Sequence, residues 1–423
     1  MNEALLQFIW KYSLYNPAAL ETAEGEPVTI IHPGQHNTNA GPDFLDARIK
    51  IGETKLAGNI ELHVNSSDWL KHDHQNDDAY KNLILHVVYH NDVPTFNNIP
   101  LLEIATHIPK HIEAKYTSLV NAKHSLPCSG MLGAVKDITK ETWLTRLLAE
   151  RWEQKLEEWK ALQKKEVDDW QNLLYWRMAA NFGFKVNTTS FLMLAQSLDI
   201  NILAKHRENL FQVEALLFGQ AGMLEGDFEE KYPNKLKEEY SYLSKKYKLK
   251  PIPVHLWKFM RMRPPNFPTV RLAQFAALIH KSVHLFSQVI EVYSVKELTP
   301  MVEVIASEYW DDHFRFDEVS VYAPKHMGRS SVQNIIVNTI APIQFLYAQR
   351  HGSIAQKEQA LRLLESLPAE KNNILNTWQE SGWEASSAAQ SQSLIQLYNN
   401  YCTPRNCLNC AIGLSIIKSV PQE

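Results

Sequence analysis

At 423 residues the chain is longer than one ordinary hydrophobic core accommodates, so two or more domains are expected. Apolar residues make up 45% and charged residues 21%, which excludes a disordered or fibrous chain, and no apolar run approaches the roughly eighteen residues of a membrane span. The net charge of −4 is unevenly spread: residues 1–110 hold seven Lys/Arg against fourteen Asp/Glu and eight of the seventeen histidines, whereas 241–280 hold eight Lys/Arg and no acid.

The pattern of the first 110 residues predicts an opening helix at Glu3–Leu14 and then strands. Pro27–Ile31 is a first strand, ended by His32-Pro33-Gly34. Phe44–Ile51 alternates around Ala47 and Ile49 and stops at Gly52, with Lys55–Val64 as its hairpin partner. Leu83–Tyr89 is a near-continuous apolar run suited to a buried central strand, and Asp77–Asn82 suggests a short helix before it. Beyond about residue 137 the period becomes helical. Thr142–Lys160 carries apolar residues at 144, 147, 148, 152, 156 and 159, the spacing of an amphipathic helix. Further helices are expected near 170–181, 190–199, 208–218, 270–291, 299–310, 330–350, 354–366 and 385–401, with loops near 251–268 and 311–328. The expected class is α+β: an α/β domain over 1–127 and an all-α domain over 128–423.

Two stretches concentrate the chemistry. On the strand through Leu56–Val64, side chains alternate between faces, so Glu61 and His63 point one way and Ile60, Leu62 and Val64 the other. Asp43, in Gly41-Pro42-Asp43-Phe44, enters the neighbouring strand of the expected hairpin. Two carboxylates converging in this way suit Mg²⁺ or Mn²⁺. His72, His74 and Asp77 form a second possible ligand set for zinc or manganese, beside His63 or His86. The simpler reading is a polar loop in which Asp77 caps the next turn and His86 is a satisfied buried histidine.

The order Pro-Asp, hairpin, then Glu-X-basic on the following strand resembles the PD-(D/E)XK nuclease superfamily. That resemblance implies a restriction-endonuclease-like core, with Asp43 and Glu61 as metal ligands and His63 at the position where the superfamily has a lysine. Over nearly the whole chain, a wider set of motifs resembles a bacterial family of unknown function. The set includes Gly58-Asn59-Ile60-Glu61-Leu62-His63, Ser67-Asp68-Trp69, His72-Asp73-His74 and Leu85-His86-Val87-Val88. Arg263-Pro264-Pro265-Asn266-Phe267-Pro268 and Arg271-Leu272-Ala273-Gln274 extend it into the helical part.

In the helical half, Cys402-X4-Cys407-X2-Cys410 places three thiols within nine residues, and Cys128 is a candidate fourth ligand. Four thiolates suit structural zinc or an iron–sulfur cluster. The set is similar to the iron–sulfur site of some helicase-associated PD-(D/E)XK nucleases, although there the cysteines flank the nuclease core and here all follow it. Lys258, Arg261, Arg263 and Arg271, around Trp257, Phe259 and Phe267, are candidate contacts to nucleic-acid phosphates and bases. A solvated basic face with core aromatics is the plainer alternative. The start Met1-Asn2-Glu3-Ala4 lacks the features of an export signal, so a cytoplasmic location with reduced cysteines is expected.

The function expected from these residues is metal-dependent hydrolysis of DNA or RNA, with nucleic acid as partner and no membrane association. Two alternatives are an inactive nucleic-acid-binding protein on the same scaffold and a zinc-dependent hydrolase of another substrate.

Overall fold

A computed structural model describes residues 1–93, 99–162 and 169–419. The chain is mixed α/β, with its sheet near the N-terminus and helices through most of the rest. Two compact units emerge from the contacts. The first takes 1–147, 372–384 and 394–423; the second takes 148–371 and 385–393. They do not follow a linear division at 127/128, because the C-terminal segment packs with the N-terminal one.

In the first unit, helix α1 (Glu3–Lys11) is capped by Asn2, whose side chain accepts from the Leu5 N–H. Its Leu5, Leu6, Phe8, Ile9 and Trp10 are buried. Six strands follow: β1 (Val28–His32), β2 (Gln35–His36), β3 (Phe44–Ile51), β4 (Thr54–Asn65), β5 (Leu83–His90) and β6 (Leu101–Glu103). The sheet order is β1-β3-β4-β5-β6, with β2 also paired to β3. β1 to β4 are joined antiparallel, whereas β4-β5 and β5-β6 are parallel.

The expected β3–β4 hairpin forms, with Ile51 opposite Thr54 and Gly52 at φ +54° in the turn. A bulge interrupts it: Phe44 pairs with Ile60 but Ala47 with Gly58, and Asp46 takes φ +57° to absorb the extra residue. Because Phe44 faces Ile60, Asp43 arrives beside Glu61. Ile60 and Leu62, on the opposite face of β4, are fully buried. Each such side chain contributes about 1.5–3 kcal/mol, so a one-residue slip, which would exchange them for Glu61 and His63, is strongly disfavoured.

A parallel pair needs a crossover of about a dozen residues or more. Between β4 and β5 that connection is residues 66–82: helix α2 (Asp68–Lys71) and two 3₁₀ turns, His74–Asn76 and Asp78–Tyr80. The helix expected at Asp77–Asn82 is therefore only a turn, capped by Asp77 through the Ala79 N–H. Helix α3 (Lys110–Val120) ends this part of the chain and was not apparent from the periodicity, its outer face being polar.

Helix α4 (Asp137–Leu162) runs over the expected segment, with Leu144, Leu147, Leu148, Trp152 and Trp159 buried. The second unit packs helices, including Trp170–Phe182, Leu210–Gln220 and Pro268–Lys281, around a core containing Trp152, Phe218, Phe275 and Trp310. The single helix expected over 270–291 breaks at Ser282–His284, where His284 adopts φ +58°. The segment expected at 330–350 is continuous but opens into a π-turn over Ile336–Ile340, just before Pro342. A proline there cannot donate to the preceding turn, and the wider turn accommodates it. The polar helix Lys231–Tyr247 was not expected either, since its apolar stripe is narrow.

Candidate metal centre

Glu61 and His63 share a face of β4, as alternation requires, but both are buried rather than open to solvent. The parallel register sets His86 directly beside Glu61, on the same face. His86 thus joins the constellation instead of pointing into the apolar core. His63 Nδ1 lies 2.9 Å from His86 Nε2, and His63 Nε2 lies 3.2 Å from His72 Nδ1. His72 caps the end of α2. The next residue, Asp73, turns the chain with φ +57°, and this reversal brings His74 back over the strand. His74 Nε2 lies 3.3 Å from Glu61 Oε1, and His63 Nε2 is 3.7 Å from the same oxygen. Despite this proximity, His74 Nε2 is buried and off the line of any hydrogen bond.

Among the described residues, His63, His72 and His74 form the group of three whose ligand atoms all lie within 4.8 Å of one another. Glu61 adds an oxygen at its edge. Trp69 and Tyr80 wall the cluster: the Trp69 ring centre is 5.2 Å from that of His74 and 5.3 Å from that of His86, and Tyr80 stands 4.1 Å from His74. His72 is exposed and marks the open side.

The two carboxylates lock together through the backbone. The Asp43 N–H donates to Glu61 Oε2 at 3.0 Å, and the Leu62 N–H donates to Asp43 Oδ2 at 3.1 Å. Gln7 of α1 donates to Asp43 Oδ1 at 2.7 Å. Burial raises the pKa of both carboxyls, and the Asp43 charge adds to the rise at Glu61, so the pair holds a proton at neutral pH. The imidazoles shift the other way. Burial first, then the neighbouring rings, push His63 down to about 3 and His86 to about 4; His74 is lowered as well. Neutral imidazoles are the metal-ligating form, and a cation would replace the proton that the carboxylates retain.

The other sequence candidates are placed as follows. Asp77 is exposed and serves as a turn cap; its charge acts on His74, but it is not one of the grouped ligand atoms. Lys258, Arg261 and Arg263 are exposed on the second unit. Arg271 is not available to a ligand: it is buried, donates to Gln274, Asn266 and Ser331, and lays its guanidinium over Phe184. The expected stacking aromatics are also committed. Trp257 is buried and donates to the Ala221 carbonyl, while Phe259 and Phe267 pack on each other and under Arg315. Cys128, Cys402, Cys407 and Cys410 are all buried, unpaired and gathered at one cavity of the first unit. Gln7 was not singled out by the sequence, a glutamine on an amphipathic helix carrying no local mark of a site; Trp69 stood there only within the motif Ser67-Asp68-Trp69, with no role assigned to it.

A family described as "Protein of unknown function (DUF2851)" matches residues 3–373, and the chain belongs to that family. No curated protein and no solved structure matches the chain.

Proposed function

We propose that this DUF2851 protein is a metal-dependent hydrolase whose substrate is a nucleic-acid phosphodiester. The observation that carries the reading is the convergence of Glu61, His63, His72 and His74 at ligand distances, with Asp43 locked beside them. Three imidazole nitrogens and one carboxylate oxygen fit a transition ion such as Mn²⁺ or Zn²⁺ better than Mg²⁺, which takes oxygen ligands. When bound, such an ion would polarise a phosphoryl oxygen and lower the pKa of a coordinated water.

The chain's own groups then divide the work. His63 has both ring nitrogens engaged, by His86 and at the cage, so it acts as a ligand rather than as the base. His86 orients that ring, the role of a carboxylate or carbonyl behind many metal-binding histidines. Asp43 stands outside the imidazole group, and each of its oxygens keeps a lone pair beyond its one hydrogen bond, so it is in place to accept a proton. His72, the exposed member, borders the side from which substrate enters.

The phosphodiester assignment draws support from the strand plan. Asp43 and Glu61 lie on an antiparallel pair that continues through a parallel crossover strand, the arrangement expected of a restriction-endonuclease-like core. The exposed Lys258, Arg261 and Arg263 lie within an acid-free stretch suited to a polyanion. The test is purified protein with Mn²⁺ or Zn²⁺ on single- and double-stranded DNA and RNA. Cleavage should appear on at least one substrate and fall by roughly a hundredfold or more in Glu61→Ala and His63→Ala. No cleavage from metal-loaded protein, or cleavage unchanged in Glu61→Ala, would refute the assignment.

A further inference from the structure

The four cysteines are the second constellation of the first unit, and the histidine site makes no use of them. Cys128 lies in the loop after α3. Cys402 closes a π-turn, Cys407 opens a 3₁₀ turn, and Cys410 is the N-cap of the helix Ala411–Lys418. All four line one small cavity of about 20 Å³, together with Leu119 and Pro127. Tyr401 also borders it but no histidine or carboxylate does, so the donor set is dominated by four thiols, which selects zinc or an iron–sulfur centre.

Geometry separates these two. Zinc–sulfur bonds of about 2.3 Å draw four tetrahedral sulfurs to within about 4 Å of one another. Among the described residues, no three of these sulfurs lie mutually within 4.8 Å, since the histidine group is the one set that meets that spacing. A four-iron cubane spreads its four thiolates over a wider frame than one ion does.

The surroundings are built for thiolates. The backbone N–H groups of Ile412 and Gly413, at the start of the C-terminal helix, face the Cys410 sulfur, as does the Trp143 indole N–H. Trp143 is buried, and the one group its indole N–H faces is the Cys410 sulfur, a donor that strengthens when that sulfur is a thiolate. Gly413 is required at its position: a Cβ there would lie 2.2 Å from the Cys407 carbonyl oxygen. Arg405, at φ +58°, lies near the cysteines and ties their two loops together. Its guanidinium donates to the carbonyls of Ala122 at 2.9 Å, His124 at 2.8 Å, Ser125 at 3.3 Å and Cys402 at 3.2 Å.

We propose that Cys128, Cys402, Cys407 and Cys410 hold one [4Fe–4S] cluster, which clamps the C-terminal segment to the loop after α3. The cluster is structural and independent of the hydrolytic reading. The experiment is anaerobic purification of the full chain from iron-supplemented cells, followed by iron, zinc and acid-labile sulfide analysis and visible spectroscopy. About four irons and four sulfides per chain are expected, with a broad visible absorbance that bleaches on reduction. Cys407→Ser should lower the iron and the acid-labile sulfide about tenfold, and His63→Ala should leave the sulfide unchanged. One zinc per chain without sulfide, or no metal in the native protein, overturns the proposal whether or not the Cys407→Ser variant folds. Retention of full iron by Cys407→Ser also overturns it.

Discussion

Metal binding at the histidine site should be steeply pH-dependent, and Glu61 should be the reason. In the metal-free protein burial and the adjacent Asp43 raise the Glu61 pKa, and the pair keeps a proton at pH 7. An incoming cation must displace that proton. The affinity then rises tenfold per pH unit, so from about pH 6 to about pH 8 it gains roughly a hundredfold, or about 2.7 kcal/mol. His63 and His86, at about 3 and about 4, are neutral throughout this window and do not contribute to the slope. Isothermal titration with Mn²⁺ or Zn²⁺ in two buffers of different ionisation enthalpy should count about one proton released per ion at pH 7. Glu61→Gln removes the titrating group and should flatten the dependence while weakening binding. Equal affinity at the two pH values, or an undiminished slope in Glu61→Gln, would show that the carboxylate pair is not the group displaced.

Three other outcomes test separate parts of the structure. His86→Ala releases the His63 ring and should weaken metal binding about 10–100-fold without changing the proton count, as read by the same titration. Arg271→Ala should cost about 2–4 kcal/mol in urea unfolding, because it strips hydrogen bonds from buried Gln274 and Ser331; Arg263→Ala, at an exposed position, should stay within about 0.5 kcal/mol. Burial pushes Glu214 up to about 7 from an ordinary 4.5, in spite of donors from Tyr232 and Ser307. The native state therefore holds this proton more tightly than the unfolded state. Its contribution is complete below about pH 4.5 and is lost as pH rises through about 7, a fall of about 3 kcal/mol that Glu214→Gln should abolish. Parallel pH–stability curves for the two proteins would refute this.

Much of the local order is legible in the sequence because it depends on neighbours a few residues apart. The two-residue period of β4 sets Glu61 and His63 on one face, Gly52 marks the hairpin, and the apolar spacing of α4 matches its buried stripe. Cys402, Cys407 and Cys410 are close in sequence and therefore close in space. Where the sequence misleads, a local pattern meets a packing demand: Arg271 belongs to a basic stretch, yet its helix turns it inward to satisfy Gln274, Asn266 and Ser331.

The meeting of distant segments was decided only by the tertiary structure. The bulge at Asp46 sets Asp43 opposite Glu61, the parallel register brings His86 alongside, and the crossover turn returns His72 and His74 to the strand. Cys128 reaches its three partners only because the C-terminal segment folds back onto the first unit. Periodicity constrains which way a side chain points from its own element. Which elements then share a site depends on strand register, bulges and chain reversals, and these are settled by burial of the whole core rather than by any short stretch of sequence.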